Sequence, residues 1–152
     1  MRIAVLAIGK GREDPAMRLF NDYMGRLPWP YDLRELQEKR PLKAKQLKAH
    51  EAELLLGAVP EQAITVALDS GGKLLSSEGF ACQLSGWRDD GAVSVAFLIG
   101  GAEGHGDKVL KGADFRLSLG VMTWPHMLVR AMLAEQLWRA ASILSGHPYH
   151  RP

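Results

Sequence analysis

Short apolar runs alternate with longer amphipathic stretches along the chain. The runs predict buried strands, because they are continuous, rich in β-forming residues and bounded by turn residues. The predicted strands cover residues 2–8, 64–68, 93–99 and 115–119, and a less regular one begins at residue 31. Helical periodicity covers residues 15–25, 42–56, 76–87 and 125–145, with a short helical turn around residue 110. This alternation predicts an α/β fold, a mostly parallel sheet with helices on both faces.

The last predicted helix, Pro125 to Ser145, is apolar on two faces and leaves only a narrow polar strip. A helix of this kind must be covered nearly all round. In a chain of 152 residues, a second copy of the protein is the simplest cover, which predicts a homodimer with Ala134 and Leu137 in the interface. Burial of the helix within one subunit is the alternative.

The composition limits the class of protein. A chain of 152 residues with 47% hydrophobic residues suits one domain over residues 1–152, large enough to need no disulfide or metal. The one cysteine, Cys82, lies in an apolar-periodic stretch and is predicted to be a small core residue in a reducing compartment. No segment reaches the ~20 apolar residues that a membrane helix requires. We therefore expect a cytoplasmic protein with no membrane partner.

The net charge of +2 is unevenly distributed. Five cations fall within ten residues: Lys39, Arg40, Lys43, Lys45 and Lys48. A local basic patch on a nearly neutral protein is compatible with nucleic-acid binding. A solvated helix face flanked by glutamates explains the same residues, and charge alone does not separate the two interpretations.

Two glycine-rich turns follow predicted strands. The first begins like a dinucleotide-binding motif with Gly9 and Gly11, but Asp14 stands where a third glycine belongs. We interpret it as an ordinary strand-to-helix turn with Asp14 as the N-cap. The second turn has four glycines between Gly100 and Gly106, after the most apolar strand, and matches neither nucleotide motif. Such a turn indicates close approach to the backbone, which predicts a ligand held by backbone amides.

Four of the five histidines lie in the last third of the chain. Their spacing fits no zinc site, and no cysteine accompanies them. The chain also lacks the serine turn of α/β-hydrolases. We therefore expect neither a metal site nor triad hydrolysis.

Three segments carry a specific resemblance. The matching segments are Phe97-Leu98-Ile99-Gly100-Gly101-Ala102-Glu103-Gly104, residues 117–130 with Met122-Thr123-Trp124-Pro125-His126, and residues 135–151, which end in His147-Pro148-Tyr149-His150-Arg151. Together they resemble the 23S rRNA (pseudouridine-N3) methyltransferase family, a minimal member of the SPOUT class. The resemblance spans essentially the whole chain. Ala102 departs from it, since many relatives carry proline there.

The resemblance implies a trefoil knot in the C-terminal half and S-adenosylmethionine bound in that knot. It also implies that the substrate is ribosomal RNA, within the ribosome or its large subunit. The positions that would contact the cofactor are Leu68, Gly100, Leu119, Gly120, Val121, Met122, Thr123 and Trp124. Gly100 is also the position where the glycine turn predicts a backbone-held ligand.

Methylation at N3 of a pseudouridine requires removal of a proton from a weakly acidic imide and alignment of that nitrogen with the methyl donor. Arg130, near the start of the last helix, is predicted to favour the imide anion. Tyr149 and His150 are predicted to accept the proton or to stack on the base. In a homodimer, these tail residues would act on the cofactor of the partner.

Two other classes of protein remain compatible with the sequence. A nucleotide-binding enzyme with a small-molecule substrate would need a complete glycine motif and an acidic residue placed for the ribose, and the chain supplies neither convincingly. A non-catalytic ribosome-binding protein would explain the basic segment but not the glycine turn. Binding of S-adenosylmethionine separates these readings.

Overall fold

The computed structural model describes all residues, 1–152, and contains one five-stranded sheet. The strands are β1 (Arg2–Ile8), β2 (Tyr31–Leu36), β3 (Ile64–Leu74), β4 (Ser94–Ile99) and β5 (Phe115–Ser118). Their order is β2-β1-β4-β3-β5, and every adjacent pair is parallel. The predicted α/β class is confirmed. The trefoil knot stays a prediction that follows from the family resemblance.

Helices cover both faces of the sheet. They are α1 (Pro15–Met24), α2 (Ala44–Gly57), α3 (Ser77–Asp89), α4 (Asp107–Gly112) and α5 (His126–Ser145). Helices α1, α3 and α5 enclose the larger core, and α2 and α4 enclose the smaller one. The predicted N-cap Asp14 accepts a hydrogen bond from the Ala16 amide, and Ser76 caps α3 in the same way by accepting one from the Gly79 amide. None of the helices combines the length and apolar content needed to cross a membrane.

Strand β3 is longer than the sequence predicts. The residues Asp69-Ser70-Gly71-Gly72 were expected to end it, but the strand continues to Leu74 with an irregular register between Leu68 and Lys73. A Cβ atom at Gly72 would lie 2.7 Å from the carbonyl carbon of Arg116, so only glycine lets the two strands approach this closely. The turn-like composition therefore marks a bulge, which places Asp69 and Ser70 at the edge of the sheet.

Helix α5 is covered mainly by its own chain. Ala134 and Leu137 are fully buried between the sheet and the neighbouring helices, so their predicted place in a subunit interface is wrong. The physical reason is that α1 and α3 pack along two sides of α5. The homodimer stays a prediction, but its support must come from another surface.

Cys82 is exposed, which corrects its predicted burial. Helix α3 turns Phe80, Ala81 and Leu84 toward the core, and Cys82 falls on the outer side. The weak apolar periodicity of this helix did not fix which face would be buried.

Candidate cofactor site

A cleft of about 740 Å³, including its open side, lies at the carboxyl ends of β3, β4 and β5. The strand ends, the glycine turn and the segment after β5 form its walls, with His126 and Val129 from α5. Ligands of open parallel sheets bind at this edge, so the topology itself favours a binding site here.

Seven of the eight positions predicted to contact the cofactor line this cleft: Leu68, Gly100, Leu119, Gly120, Met122, Thr123 and Trp124. The eighth, Val121, does not line it, and its side chain is 81% exposed. The structure thus brings together two segments, one after β4 and one after β5, that are about twenty residues apart in the sequence.

The glycine turn after β4 is shaped first by its own backbone. A Cβ atom at Gly100 would lie 2.9 Å from the carbonyl carbon of Gly104 and 3.2 Å from the amide nitrogen of His105. The Gly104 amide donates a hydrogen bond to the Gly101 carbonyl at 3.0 Å, and Gly104 has φ +76°. The glycine pattern alone predicts close approach of a ligand, whereas the folded turn already requires these glycines.

Glu51 from α2 lies behind the glycine turn. A Cβ atom at Gly101 would lie 3.0 Å from Glu51 Oε2, and this oxygen is buried with no hydrogen-bond partner. Burial, and secondarily the charge of Glu103, raises the pKa of Glu51. Glu51 is one of the glutamates that flank the basic segment in the sequence, and no signal in the sequence marks it as buried.

His105 forms a buried part of the cleft wall. Its Nε2 lies 3.0 Å from the Leu98 carbonyl oxygen, while Nδ1 is buried without a partner. Burial lowers the pKa of His105, although the Leu98 carbonyl and the charge of Asp69 oppose this. The imidazole is therefore neutral near pH 7, with one nitrogen left without a hydrogen bond.

Asp69 is the only carboxylate among the residues that line the cleft. Its Oδ2 accepts hydrogen bonds from Arg116 Nη2 at 2.5 Å and from the Gly71 amide at 3.1 Å. These bonds hold the carboxylate in place at the cleft, where the guanidinium of Arg116 balances its charge. Sequence reasoning missed Asp69 as a site residue, because its neighbours were interpreted as the end of a strand.

The segment after β5, residues 119–124, forms a more open wall. It is anchored at its start, where Ser118 Oγ accepts a hydrogen bond from the Gly120 amide and donates to the Ser70 carbonyl, both at 3.1 Å. Beyond this point the apolar side chains of Met122 and Trp124 are 67% and 37% exposed. Exposed apolar groups beside a cleft mark a surface that a ligand or a second protein can cover.

Arg130 is fully buried and does not line the cleft. Its Nη2 donates to the carbonyls of Ile8 at 3.1 Å and Gly9 at 2.9 Å, and its Nη1 donates to Glu35 Oε2 at 2.6 Å. The same oxygen accepts a hydrogen bond from the Gly11 amide. Direct contact between Arg130 and a substrate base finds no support in this geometry, and the guanidinium instead ties α5 to the turn after β1.

The carboxylate of Glu35 completes this arrangement. Burial raises its pKa, but the hydrogen bonds from Arg130 and from the Gly11 amide outweigh burial, so the pKa lies below its usual value. Glu35 is therefore ionised at neutral pH and pairs with the buried guanidinium.

The C-terminal tail folds against its own chain, away from the first cleft. Tyr149 Oη donates to Glu135 Oε1 at 3.1 Å, and His150 Nε2 lies 2.8 Å from Glu78 Oε1. Burial, followed by hydrogen bonds with Tyr23 and Glu135, raises the pKa of Tyr149 well above its usual value. Neither Tyr149 nor His150 lines the first cleft in one subunit.

A second cleft adjoins the first and includes Glu135, the residue that holds Tyr149. It lies between the end of β3, the start of α3 and the middle of α5, and it shares Leu117, Leu119 and Gly120 with the first cleft. The exposed side chain of Leu74 borders it. The two clefts thus form a continuous surface around the segment after β5.

The fold and the first cleft define an α/β protein with a cleft at the carboxyl ends of parallel strands, the edge where such sheets bind their ligands. The family model described as "Predicted SPOUT methyltransferase" matches residues 1–150, and the chain belongs to this family. The resemblance carried by the three sequence segments is confirmed.

Relatives match the chain over its full length. It is 60% identical over 152 residues to "Ribosomal RNA large subunit methyltransferase H" of Paramagnetospirillum magneticum, with 100% of both chains covered. It is 52% identical over 151 residues to the protein of the same name from Rhodospirillum centenum, with 99% of both covered. A solved structure, a probable methylase family protein from Haemophilus influenzae Rd KW20, matches with a TM-score of 0.56 and 9% identity, over 99% of this chain and 70% of that one. That likeness concerns the fold alone.

Proposed function

We propose that this enzyme transfers the methyl group of S-adenosylmethionine to N3 of a pseudouridine in 23S ribosomal RNA. The chain belongs to a methyltransferase family, and relatives up to 60% identical are named for methylation of large-subunit ribosomal RNA. The observation that carries the proposal is that the turn at Gly100 and the segment from Leu119 to Trp124 meet in one cleft. A cytoplasmic location follows from this substrate.

The residues of the first cleft fit the cofactor. Backbone groups at Leu68, Gly100, residues 119–120 and residues 122–124 would hold it, and the apolar side chains of Leu117 and Val129 line the same space. Asp69 offers a carboxylate acceptor held in place by Arg116, and Nδ1 of His105 offers a buried polar contact. When bound, S-adenosylmethionine supplies an electrophilic methyl group on a positively charged sulfonium.

The tail of a partner subunit supplies the group that accepts the N3 proton. His150 is the better base of the two tail candidates, since the raised pKa of Tyr149 makes its hydroxyl reluctant to ionise. Both residues are held away from the cleft of their own chain, which favours a role in the cleft of a second copy. Exposed apolar side chains at Leu74, Val121 and Met122 support the homodimer, in place of the buried face of α5.

Arg130 acts as a positioning residue. Its bonds to Ile8, Gly9 and Glu35 fix the turn after β1 against the start of α5. The neighbouring His126 lines the cleft, so this anchor holds one side of the site in place.

The reaction is tested by mass spectrometry of 23S ribosomal RNA from cells with and without the protein. We expect one methylated pseudouridine to lose its methyl group in cells without it, and purified enzyme to restore the modification on their large subunits. Large subunits with uridine at that position serve as the control and should accept no methyl group. Binding of S-adenosylmethionine without transfer to any ribosomal particle would contradict the enzyme assignment.

The shared site is tested by mixing two inactive variants, Gly100→Ala and His150→Ala. If each site joins the cofactor cleft of one subunit to the tail of the other, mixed dimers contain one intact site. The mixture should then recover roughly a quarter of wild-type activity, as expected for random pairing in a two-fold dimer. No recovery, with exchange of subunits demonstrated, would refute the shared site.

A further inference from the structure

The exposed cations of this protein fall into two groups. In one group an acidic side chain lies within ion-pair distance, as for Arg26 with Asp22 and Arg88 with Asp89. The second group has no ion pair. Six cations without an ion pair follow β1 and β2, and we call these six the basic surface: Lys10, Arg12, Lys39, Lys43, Lys45 and the half-buried Lys48. Cations without a protein partner are available to an external anion.

The basic surface lies at the same edge of the sheet as the cofactor cleft. Lys10 and Arg12 follow the carboxyl end of β1, and Lys39 follows that of β2. These strands are adjacent and parallel, with Ile8 paired to Leu36 in their last register position. Both turns therefore leave the sheet at its carboxyl edge, next to the ends of β4 and β3 that form the cleft.

Two contacts join the basic surface to the walls of the cleft. A Cβ atom at Gly9 would lie 3.6 Å from Nε2 of His126, which lines the cleft. A Cβ atom at Gly106 would lie 3.0 Å from the carbonyl oxygen of Lys48. The segments that carry the lysines thus pack directly on the start of α5 and on the glycine turn.

The turn after β1 is held in a strained shape. Arg12 has φ +37°, a conformation that a residue with a side chain rarely adopts. The preceding Gly11 amide is fixed by Glu35, which Arg130 holds in turn. Arg12 is exposed, yet the surrounding hydrogen bonds hold its backbone in this strained conformation. Enforced strain of this kind indicates that the position of Arg12 serves a function.

The lysines after β2 also lower the stability of the fold. Lys43 and Lys45 lie at the start of α2, where the helix dipole repels cations, and the first turn contains no acidic residue. A surface with this many like charges is more favourable when it faces a polyanion.

We propose that the basic surface binds the sugar–phosphate backbone of the RNA whose base enters the cleft. This inference rests on the proposed function. Lysine is a flexible point charge, so five lysines and one arginine suit phosphates, which carry no sequence information. The surface therefore sets the position of the RNA strand. The hydrogen bonds of Glu35 and Arg130 support the turn that carries Lys10 and Arg12.

The test compares two double variants, Lys10→Gln/Arg12→Gln and Lys43→Gln/Lys45→Gln, with a control, Arg2→Gln/Lys111→Gln. The control residues are exposed, have no ion pair and lie toward the amino edge of the sheet. Binding to large subunits that lack the methyl group is measured at several KCl concentrations, and S-adenosylmethionine affinity is measured by calorimetry. Each basic-surface variant should bind subunits about tenfold more weakly and lose about two units of salt slope, one per lost phosphate contact. The control should match the wild type, and cofactor affinity should change in none.

A wild-type salt slope in both basic-surface variants would overturn the proposal, and so would an equal loss in the control. The measurement is repeated with a protein-free fragment of 23S RNA. A loss seen only with intact subunits would assign the surface to a ribosomal protein and would also overturn the proposal. If the wild type binds RNA with the expected slope but transfers no methyl group, the proposed function fails while the docking surface stands.

Discussion

The two walls of the cofactor cleft are built in different ways. In the glycine turn from Gly100 to His105, the Gly104 amide donates a hydrogen bond to the Gly101 carbonyl, and Glu51 packs behind the turn. His105 bonds to a backbone carbonyl of β4. The opposite wall, residues 119–124, is anchored only at its first residues, and its apolar side chains face solvent. The chain itself therefore completes one wall, while a ligand or a second subunit must complete the other.

Because the two walls differ, substitutions in them should have different effects. Changes in the glycine turn should disturb the shape of the site before any ligand binds. Changes in the open wall should leave the free protein intact and act only on the bound state, since few contacts in the free chain depend on those side chains.

The largest effect is expected from Gly100→Ala. The new Cβ atom would lie 2.9 Å from a backbone carbon of Gly104, which flexible side chains cannot relieve, so the turn must change its path. We expect cofactor affinity to fall about a hundredfold, which corresponds to about 2.8 kcal/mol of lost binding free energy. Calorimetric titration with S-adenosylmethionine measures this.

The control for that change is Gly86→Ala. Gly86 lies within α3, and a Cβ atom there meets nothing within 4 Å. Alanine at this position should leave cofactor affinity unchanged and stabilise the helix by about 0.5–1 kcal/mol. Unchanged affinity in Gly100→Ala would show that the turn adjusts freely and that the two walls do not differ as described.

A smaller effect is expected from Trp124→Ala in the open wall. Trp124 is 37% exposed in the free chain, and its ring lines the cleft, so a bound ligand would bury more of it. Loss of about 1.5 kcal/mol of apolar burial lowers cofactor affinity about tenfold. The Tm of the free protein should change little.

Limited proteolysis sharpens the same comparison. Cleavage within residues 119–124 should be rapid in the free protein and slow when S-adenosylmethionine is bound, whereas the glycine turn should resist cleavage in both states. Equal protection of both segments without ligand would contradict the contrast between the walls.

The sequence predicted most of the fold, because strands buried on both sides of a parallel sheet must be apolar throughout. The sequence-based prediction was wrong where the same composition is compatible with two different structures. The glycines after Leu68 formed a bulge instead of a strand end, because their lack of side chains lets β3 and β5 approach closely. The two apolar faces of α5 packed against α1 and α3 in the same chain, since periodicity shows that a face is covered and not what covers it.

The sequence predicted which segments form the candidate site, but not how their side chains are arranged in space. The resemblance implies cofactor contacts at Gly100 and along the stretch up to Trp124, and the structure places both segments at one cleft. Arg130 illustrates what was missed, since a cation on a helix gives no sign in the sequence that it points inward to Glu35. Asp69 and Glu51 were missed because their places depend on how distant segments pack.

A moderate effect that varies with pH is expected from His105→Gln. Burial lowers the pKa of His105 below its ordinary value of 6.5. When the pH is below about 6.5, the unfolded chain therefore binds a proton at this residue more readily than the folded chain does. The free energy of unfolding should therefore fall as the pH drops below 6.5. Glutamine keeps a donor for the Leu98 carbonyl but does not titrate, so the variant should lose part of this slope. Chemical denaturation between pH 5 and 7.5 measures it, and an identical slope in the variant would contradict burial of the imidazole.

The smallest effect, and one of opposite sign, is expected from Glu51→Gln behind the same wall. Burial raises the pKa of Glu51, so above its ordinary value of 4.5 the folded chain holds a proton more readily than the unfolded chain. The contribution of Glu51 to stability therefore falls as the pH rises through this window. Glutamine removes the charge, and Tm should rise by about 2 °C at pH 7.5, with the gain vanishing near pH 4.5. Glu53→Gln, an exposed site on the same helix, should show no such rise. A lower Tm in Glu51→Gln at pH 7.5 would mean that the ionised carboxylate stabilises the glycine turn. The charge of Glu51, and not close packing, would then determine the shape of this wall of the cleft.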